Sequence, residues 1–260
     1  MQDLVAPMVC PCALGLVMGC RTVTSDEFDE KEQRAEELLQ AMEAIDQTAA
    51  TEEEKEAGCI NALRYLSFLD QSTSTASLGF RIDGGKTVVN GTLDALPLPD
   101  GLSINTLKEE EDLVQTFKTF LQNDGSLAAA VLNKVESVVA ALERSTFFKE
   151  HIFLRSTMLL VYDDAARATR LELKMTNFGA SYRLPEYVLH KSTPIDHAAP
   201  WDGQAGSHED GYMTGVQSLE RIMRRVAAEL GGGPRSRSAT QTSIGSESVP
   251  RSRSASKEGE

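Results

Sequence analysis

Residues 11–22 read PCALGLVMGCRT: Pro11, Cys12, Ala13, Leu14, Gly15, Leu16, Val17, Met18, Gly19, Cys20, Arg21 and Thr22. The stretch is apolar to Met18, breaks at Gly19 and delivers one basic side chain at Arg21. With Pro7 and Pro11 as breakers, residues 1–21 read as short extended pieces joined by turns. The apolar residues before Met18-Gly19-Cys20 also have the outline of a lipid-attachment signal, with cleavage ahead of Cys20. A signal peptide wants a basic start and an unbroken apolar run, and this chain offers Asp3 and two prolines instead.

The chain has 260 residues, 41% hydrophobic and 25% charged, enough for one large domain or two small ones around a sizeable core. Net charge is −13; residues 231–260 hold five basic and three acidic residues, so residues 1–230 carry −15. An acidic body has the wrong sign for a nucleic-acid partner, and it accommodates a highly phosphorylated ligand only in a locally basic pocket. No unbroken run reaches the roughly 18 apolar residues of a membrane span. Cys10, Cys12, Cys20 and Cys59 do not meet a four-ligand zinc spacing, so reduced thiols are expected, in a cytoplasmic or nuclear protein.

Outward from the opening stretch, Phe28, Ala35, Leu38, Leu39, Met42 and Ile45 recur at helical spacing and predict a helix over 26–45. Thr51 and Glu54 make a capping box, and Ile60, Leu63 and Leu66 extend a second helix from it. After the hydroxyl-rich residues 72–77, Leu78, Phe80 and Ile82 alternate as a strand, closed by a turn signal at Asp83-Gly84-Gly85. Residues 87–107 read as loop, broken by Pro97, Pro99 and Gly101.

Two strong helices follow. Leu113, Val114, Phe117, Phe120 and Leu121 mark the first, which Asn123-Asp124-Gly125 ends. Ser126 is read as the cap of the second, whose face is Leu127, Val131, Leu132, Val135, Val138, Val139 and Leu142. Residues 156–163 predict a buried strand, residues 163–168 a turn, and Leu171, Leu173 and Met175 a partner strand that delivers Asn177-Phe178-Gly179. A last helix over about 209–230 turns Tyr212, Met213, Val216, Leu219, Met223 and Val226 inward. Residues 231–260 are rich in Ser, Arg and Gly without apolar periodicity and read as a disordered tail, whose serines beside arginines suit basophilic kinases.

Four separated motifs, in order, give residues 2–230 a resemblance to the inositol polyphosphate kinases, nearest to the inositol-trisphosphate 3-kinase branch. Pro11, Gly19 and Arg21 resemble the frame of that family's PxxxDxKxG signature and the basic residue after it; its acid falls on Gly15 and its lysine on Val17. Residues 72–84 are similar to an SSTTTLGFRIxG run, and the strand pair over 156–178 resembles the family's SSLLxxYD and IDF strands. His197 with Pro200-Trp201, and Glu209-Asp210-Gly211-Tyr212, resemble HxxPW and EDGYLxGL.

The resemblance implies an α+β, inositol polyphosphate kinase-like fold: a kinase-like domain over 1–230, a helical substrate-covering insertion over 26–70, and the tail. Gln2-Asp3-Leu4 resembles the hinge between two lobes, so the small N-terminal lobe is expected to be largely missing. The resemblance implies phosphoryl transfer from ATP and Mg²⁺ to a hydroxyl of an inositol phosphate, a trisphosphate in the nearest branch. Carried over position by position, it puts Gly15 and Val17 at the DxK signature, and Arg81, Arg21 and Asn105 at substrate contacts. Asp3, Thr157 and Asn177 fall at nucleotide contacts, Asn177 on the family's magnesium aspartate. On the residues alone, Arg81 reads as a surface arginine at a strand end, and His197 as a structural histidine that, with Trp201, pins the last helix.

Phosphoryl transfer needs a positioned hydroxyl, a metal bridging phosphates, and cations for the developing charge. Gly15 has no side chain, Val17 is neutral and β-branched, and Asn177 offers an amide where magnesium prefers a carboxylate. Each lost charge-stabilising group matters by roughly 10²-fold, so little activity is expected even without additivity. Two expectations result: an enzyme with residual or rerouted phosphotransferase activity, or a pseudokinase that binds inositol phosphate or serves as a scaffold, with protein partners at the tail.

Overall fold

Residues 11–18 form one eight-residue strand, β1 (Pro11–Met18), at the centre of the main sheet. This replaces the short extended pieces read from the prolines and glycines. Cys12, Leu14, Leu16 and Met18 are each fully buried on one face, and that alternation is what sets the strand. The computed structural model describes residues 3–24, 34–189, 195–199 and 208–231. Phe28, Trp201 and the tail beyond Gly231 lie outside them, as does Gln2.

The region read as two helices contains five elements: β2 (Arg34–Ala35), α1 (Glu36–Ile45), α2 (Glu52–Ala57), β3 (Ile60–Asn61) and α3 (Ala62–Ser72). Ala35 is not helical; it pairs with Ile60 in a two-stranded ribbon. The Thr51–Glu54 capping box is present in both directions, 3.2 and 2.9 Å. The second helix does not run on through Ile60, because Gly58 takes φ +64° and ends it, and Asn61 then caps a new helix at the Arg64 amide. Leu39, Met42, Ala50, Ile60 and Phe68 form a small core of their own here.

Next come α4 (Thr75–Leu78), β4 (Phe80–Val89) and β5 (Thr92–Ala95). Leu78 closes a helical turn and does not start the strand. The expected turn at Asp83-Gly84-Gly85 is strand, because Gly84 and Gly85 pair with Gly15 and Leu14 of β1. The chain reverses instead at Asn90-Gly91, whose φ values of 51° and 82° match a two-residue hairpin turn. Part of the expected loop over 87–107 is therefore the β4–β5 hairpin.

α5 (Glu110–Phe120) and α6 (Gly125–Arg144) follow. The cap of α6 is Asp124 and not Ser126: its carboxylate accepts from the amides of Ser126 and Leu127 at 2.9 and 3.0 Å. Among the described residues, α6 is the one helix long and apolar enough to cross a membrane by length and composition, although charges interrupt its run. It buries Leu127, Ala128, Val131, Val135 and Leu142 in the main core.

The remaining elements are α7 (Thr146–Lys149), β6 (His151–Leu154), β7 (Thr157–Asp163), β8 (Arg167–Thr176), β9 (Ala180–Arg183), α8 (Glu186–Leu189) and α9 (Tyr212–Glu229). The main sheet is antiparallel, in the order β5-β4-β1-β7-β8. Helices α5, α6 and α9 cover one face of it. α9 starts at Tyr212 and not at 209, because Gly211 at φ +66° caps it; Tyr212, Met213, Val216, Leu219, Met223 and Val226 are all buried as the pattern requires.

Candidate functional site

The other face of the sheet carries the signature positions. Val17 pairs with Arg81 on β4 and with Thr157 on β7, and Thr157 pairs with Thr176 on β8. One row across four strands therefore reads Arg81, Val17, Thr157, Thr176. A bulge between Gly15 and Leu16 puts Gly84 opposite Gly15, with Leu159 on its other side. Side chains two apart on a strand share a face, so Gly15 and Val17 look out together beside Arg81 and Thr157. A Cβ on Gly15 would sit 3.8 Å from the Gly84 carbonyl and from the Thr157 methyl, ordinary contact distance.

Arg81 is not a surface arginine. Its side chain is 13% exposed. Nη1 donates to Thr75 Oγ1 at 3.1 Å and lies 3.4 Å from Asp70 Oδ1. Thr73, Ser74 and Thr75 are buried, and Ser74 Oγ donates to the Phe80 carbonyl at 2.6 Å, so the hydroxyl run anchors the start of β4.

Asp70, in the last turn of α3, is buried, and each of its carboxylate oxygens lies 2.8 Å from Thr22 Oγ1. Burial pushes its carboxyl up to about 6, against the lowering effects of the Thr22 hydroxyl, Arg81 and Arg155. Sequence reasoning passed over Asp70, Thr22, Thr75 and Arg155. The one available signal was an acid following Phe68 and Leu69, two residues ahead of the hydroxyl run.

The other predicted residues are distributed around this row. Arg21 is fully buried, and its Nε donates to the Val23 carbonyl at 2.7 Å. Asn105 is exposed on a 3-10 turn over Ile104–Thr106; two residues on, the Leu107 carbonyl accepts from the Ser74 amide. Asn177 directly follows Thr176, is exposed at φ +59°, and donates Nδ2 to the Arg155 carbonyl at 3.2 Å.

Asp3 stands apart from Thr157 and Asn177. Its Oδ1 accepts from the amides of Val5 and Ala6, and it borders a cavity of about 380 Å³ with Leu4, Met8, Lys134 and Arg170. Arg170 lies on β8 and Asn177 directly follows that strand, seven residues further on, roughly 20 Å at ~3.3 Å per residue.

The residues present do not fit a magnesium site of the expected kind. The Asn177 side chain is neutral, and among the described residues no three His, Cys, Asp or Glu side chains are grouped to hold a metal ion. All four cysteines are free, and burial pushes the Cys20 thiol up to about 11.

His197 is structural. Its Nδ1 faces both oxygens of Asp210 at 3.0 and 3.1 Å, and Asp210 also accepts from the Phe153 and Tyr212 amides, each at 2.9 Å. The Asp210 carbonyl accepts from the Cys20 amide at 2.7 Å. This buried pair joins the end of β1, β6 and the start of α9.

Comparisons with known proteins agree on one family. The family model described as inositol polyphosphate kinase matches residues 1–224. Inositol-trisphosphate 3-kinase A of Rattus norvegicus is 30% identical over 230 residues, covering 87% of this chain and 46% of its own. Inositol-trisphosphate 3-kinase B of Homo sapiens is 29% identical over 232 residues, covering 88% of this chain and 23% of its own. The chain thus spans about half the length, or less, of these curated relatives.

Among solved structures, an inositol phosphate multikinase from a protein-engineering study aligns with a TM-score of 0.52 at 17% identity, over 86% of this chain and 84% of that one. The multikinase Ipk2 of S. cerevisiae, solved with ADP and Mn²⁺, aligns with a TM-score of 0.50 at 14% identity, over 86% and 81%. At these identities the likeness concerns the fold, which is α+β.

Proposed function

The chain belongs to the inositol polyphosphate kinase family, and from that premise we propose that it binds an inositol phosphate at Arg81, with phosphoryl transfer weak or lost. The observation that carries this reading is the row Arg81, Val17, Thr157. Arg81 is a guanidinium held by Thr75 and Asp70 on this face, while Val17 and Thr157 in the same row supply neither charge nor an acid. The trisphosphate is the proposed ligand because the matched relatives are named for it.

In this reading Arg81 anchors a phosphate, and Gly15 on the same face of β1 adds no side chain beside it. Gly15 cannot orient a hydroxyl. Val17 cannot neutralise charge on a transferring phosphoryl group. ATP with a divalent metal would supply that phosphoryl group, but the neutral Thr157 and Asn177 offer it no charge, and Asp3 is engaged in its own turn. Residual ATP-dependent phosphorylation is the second reading, favoured by the cavity beside Asp3.

Isothermal titration calorimetry of the purified chain with inositol 1,4,5-trisphosphate and, separately, with ATP and Mg²⁺ tests the proposal. Binding of the trisphosphate alone, lost in Arg81→Ala, is the expected result. Binding of both ligands favours the second reading. Binding of neither overturns the proposal and leaves a scaffold.

A further inference from the structure

Asp70 is the most heavily used polar group beside the proposed anion site, yet the family motifs do not point to it. Four segments converge on its carboxylate: Thr22 after β1, Asp70 itself on α3, Arg81 on β4, and Arg155 ahead of β7. Among the described residues, the titratable and charged groups that face it are Arg81, Arg155 and, from the β1 side, Cys20.

The balance of charge there is incomplete. Thr22 has one hydroxyl hydrogen, so only one of its two 2.8 Å approaches is a donated bond at any moment, and the Thr22 backbone amide adds one more neutral donor. The Arg81 contact is long, at 3.4 Å, and Nη1 is shared with Thr75. A buried carboxylate with such partial compensation is costly to keep ionised. A phosphate arriving at Arg81 brings more negative charge into the same space and raises that cost.

We infer that Asp70 is a positioning residue of the anion site: it holds Arg81 against Thr75 while the site is empty, and takes up a solvent proton when a phosphate binds, releasing the guanidinium to the anion. One proton moves from water to a carboxylate oxygen, and no other bond changes. The inference rests on the proposed function, since it needs an anion at Arg81. Burial already lifts the carboxyl to about 6, so at neutral pH Asp70 is ionised in the empty site and a modest further rise suffices for uptake.

The test is calorimetric titration at pH 7 in buffers of different ionisation enthalpy, which counts protons taken up per ligand bound. The probes are inositol 1,4,5-trisphosphate and myo-inositol hexakissulfate, whose charge is fixed so that the ligand itself takes no proton. The expected result is uptake of roughly half a proton with the hexakissulfate in the wild type and none in Asp70→Asn. Wild-type affinity for the hexakissulfate should also rise several-fold from pH 7.5 to pH 6, with a flat profile in the variant.

Thr22→Val is the second variant. It leaves the carboxylate and the backbone donor at position 22 intact but removes the hydroxyl donor, so Asp70 is partly protonated beforehand and uptake shrinks. Equal proton counts in the wild type and both folded variants would overturn the inference while leaving the proposed function standing. Failure of the wild type to bind either probe would overturn both.

Discussion

Val17 lies directly across from Arg81, on the adjacent strand and the same face of the sheet. A lysine at Val17 would therefore put a second cation beside the first, at a position only 6% exposed. Without a ligand, Val17→Lys is expected to lower stability by about 1–3 kcal/mol, because a buried ammonium would sit beside the Arg81 guanidinium, whose nearby carboxylate, Asp70, is already engaged by Arg81 and Thr22. Inositol trisphosphate should raise the melting temperature again, with the logarithm of its concentration above Kd, as any ligand of the native state does. A thermal-shift series with and without the trisphosphate reads both effects. A ligand-free variant as stable as the wild type would mean that the two positions do not share the pocket.

Phosphoryl transfer is expected to return only when the acid, the lysine and the metal ligand return together. Gly15 has room for a side chain, since its Cβ would meet only ordinary contacts, and Asn177 is exposed. The triple variant Gly15→Asp, Val17→Lys, Asn177→Asp should consume ATP in the presence of inositol trisphosphate at least roughly 10²-fold faster than the wild type. Each single change should stay near the wild-type level, because groups that act as a unit are far from additive. A coupled assay of ADP release, with product identified by chromatography, decides it. A triple variant as slow as the wild type would assign the loss to groups other than these three.

Asp70 makes stability depend on pH in a definite direction. Its carboxyl is raised from 3.8 to about 6 in the folded chain, so the native state binds the proton more tightly than the unfolded chain does. Its contribution to stability is then fully present below about pH 4 and lost as pH rises through about 6, a change of about 3 kcal/mol. Asp70→Asn should remove that slope. Relative to the wild type it should be most favourable at pH 7.5 and progressively less so toward pH 4.5. Urea unfolding at three pH values measures the difference, and a constant offset would show that Asp70 does not titrate differently on folding.

What could be read from residue order was mostly local. The inward face of α9 and the capping box at Thr51 and Glu54 follow from spacing alone, and the structure has both. Gly84-Gly85 looked like a turn because two glycines are permissive; pairing with Leu14 and Gly15 holds them extended, a long-range effect absent from any short window. Pro11 and Gly15 likewise masked β1, the most central strand. The family motifs named Arg81 and Val17, but their adjacency depends on sheet register and on the bulge beside Gly15. Asp70 left only the faint signal of an acid after Phe68 and Leu69, because its role comes from burial under three other segments, and no periodicity records that.

The Asp210 carboxylate is expected to matter for stability and not for ligand binding. It is fully buried and serves three donors: the Phe153 amide, the Tyr212 amide and His197 Nδ1. Asp210→Ala orphans all three and should destabilise by about 3–5 kcal/mol. His197→Ala removes one donor and a ring tilted against Phe148 with centroids 4.2 Å apart, and should be the milder of the two. Denaturant unfolding ranks them. If the folded fraction of His197→Ala binds inositol trisphosphate as the wild type does, the pair is an anchor for α9; a large loss of affinity would bring His197 into the ligand site.

The last helix approaches the turn before β4 more closely than a side chain would permit, and this gives a prediction whose sign is opposite to the usual one. Gly79 adopts φ +71°, and its carbonyl accepts from the Gly19 amide at 2.7 Å. Gly215, inside α9, lies against that same carbonyl, so a Cβ built on Gly215 falls onto the Gly79 oxygen. In an exposed helix interior, glycine to alanine gains about 1 kcal/mol from backbone propensity. Here the helix would have to move off the turn, and overpacking of that kind costs about 1–3 kcal/mol or more. Gly215→Ala is therefore expected to be destabilising overall. Because Gly79 is only two residues from Arg81, affinity for inositol trisphosphate should fall as well. Denaturant unfolding and calorimetry on the one variant measure both quantities. A more stable variant with unchanged affinity would show that α9 and the turn are not in contact at these two glycines.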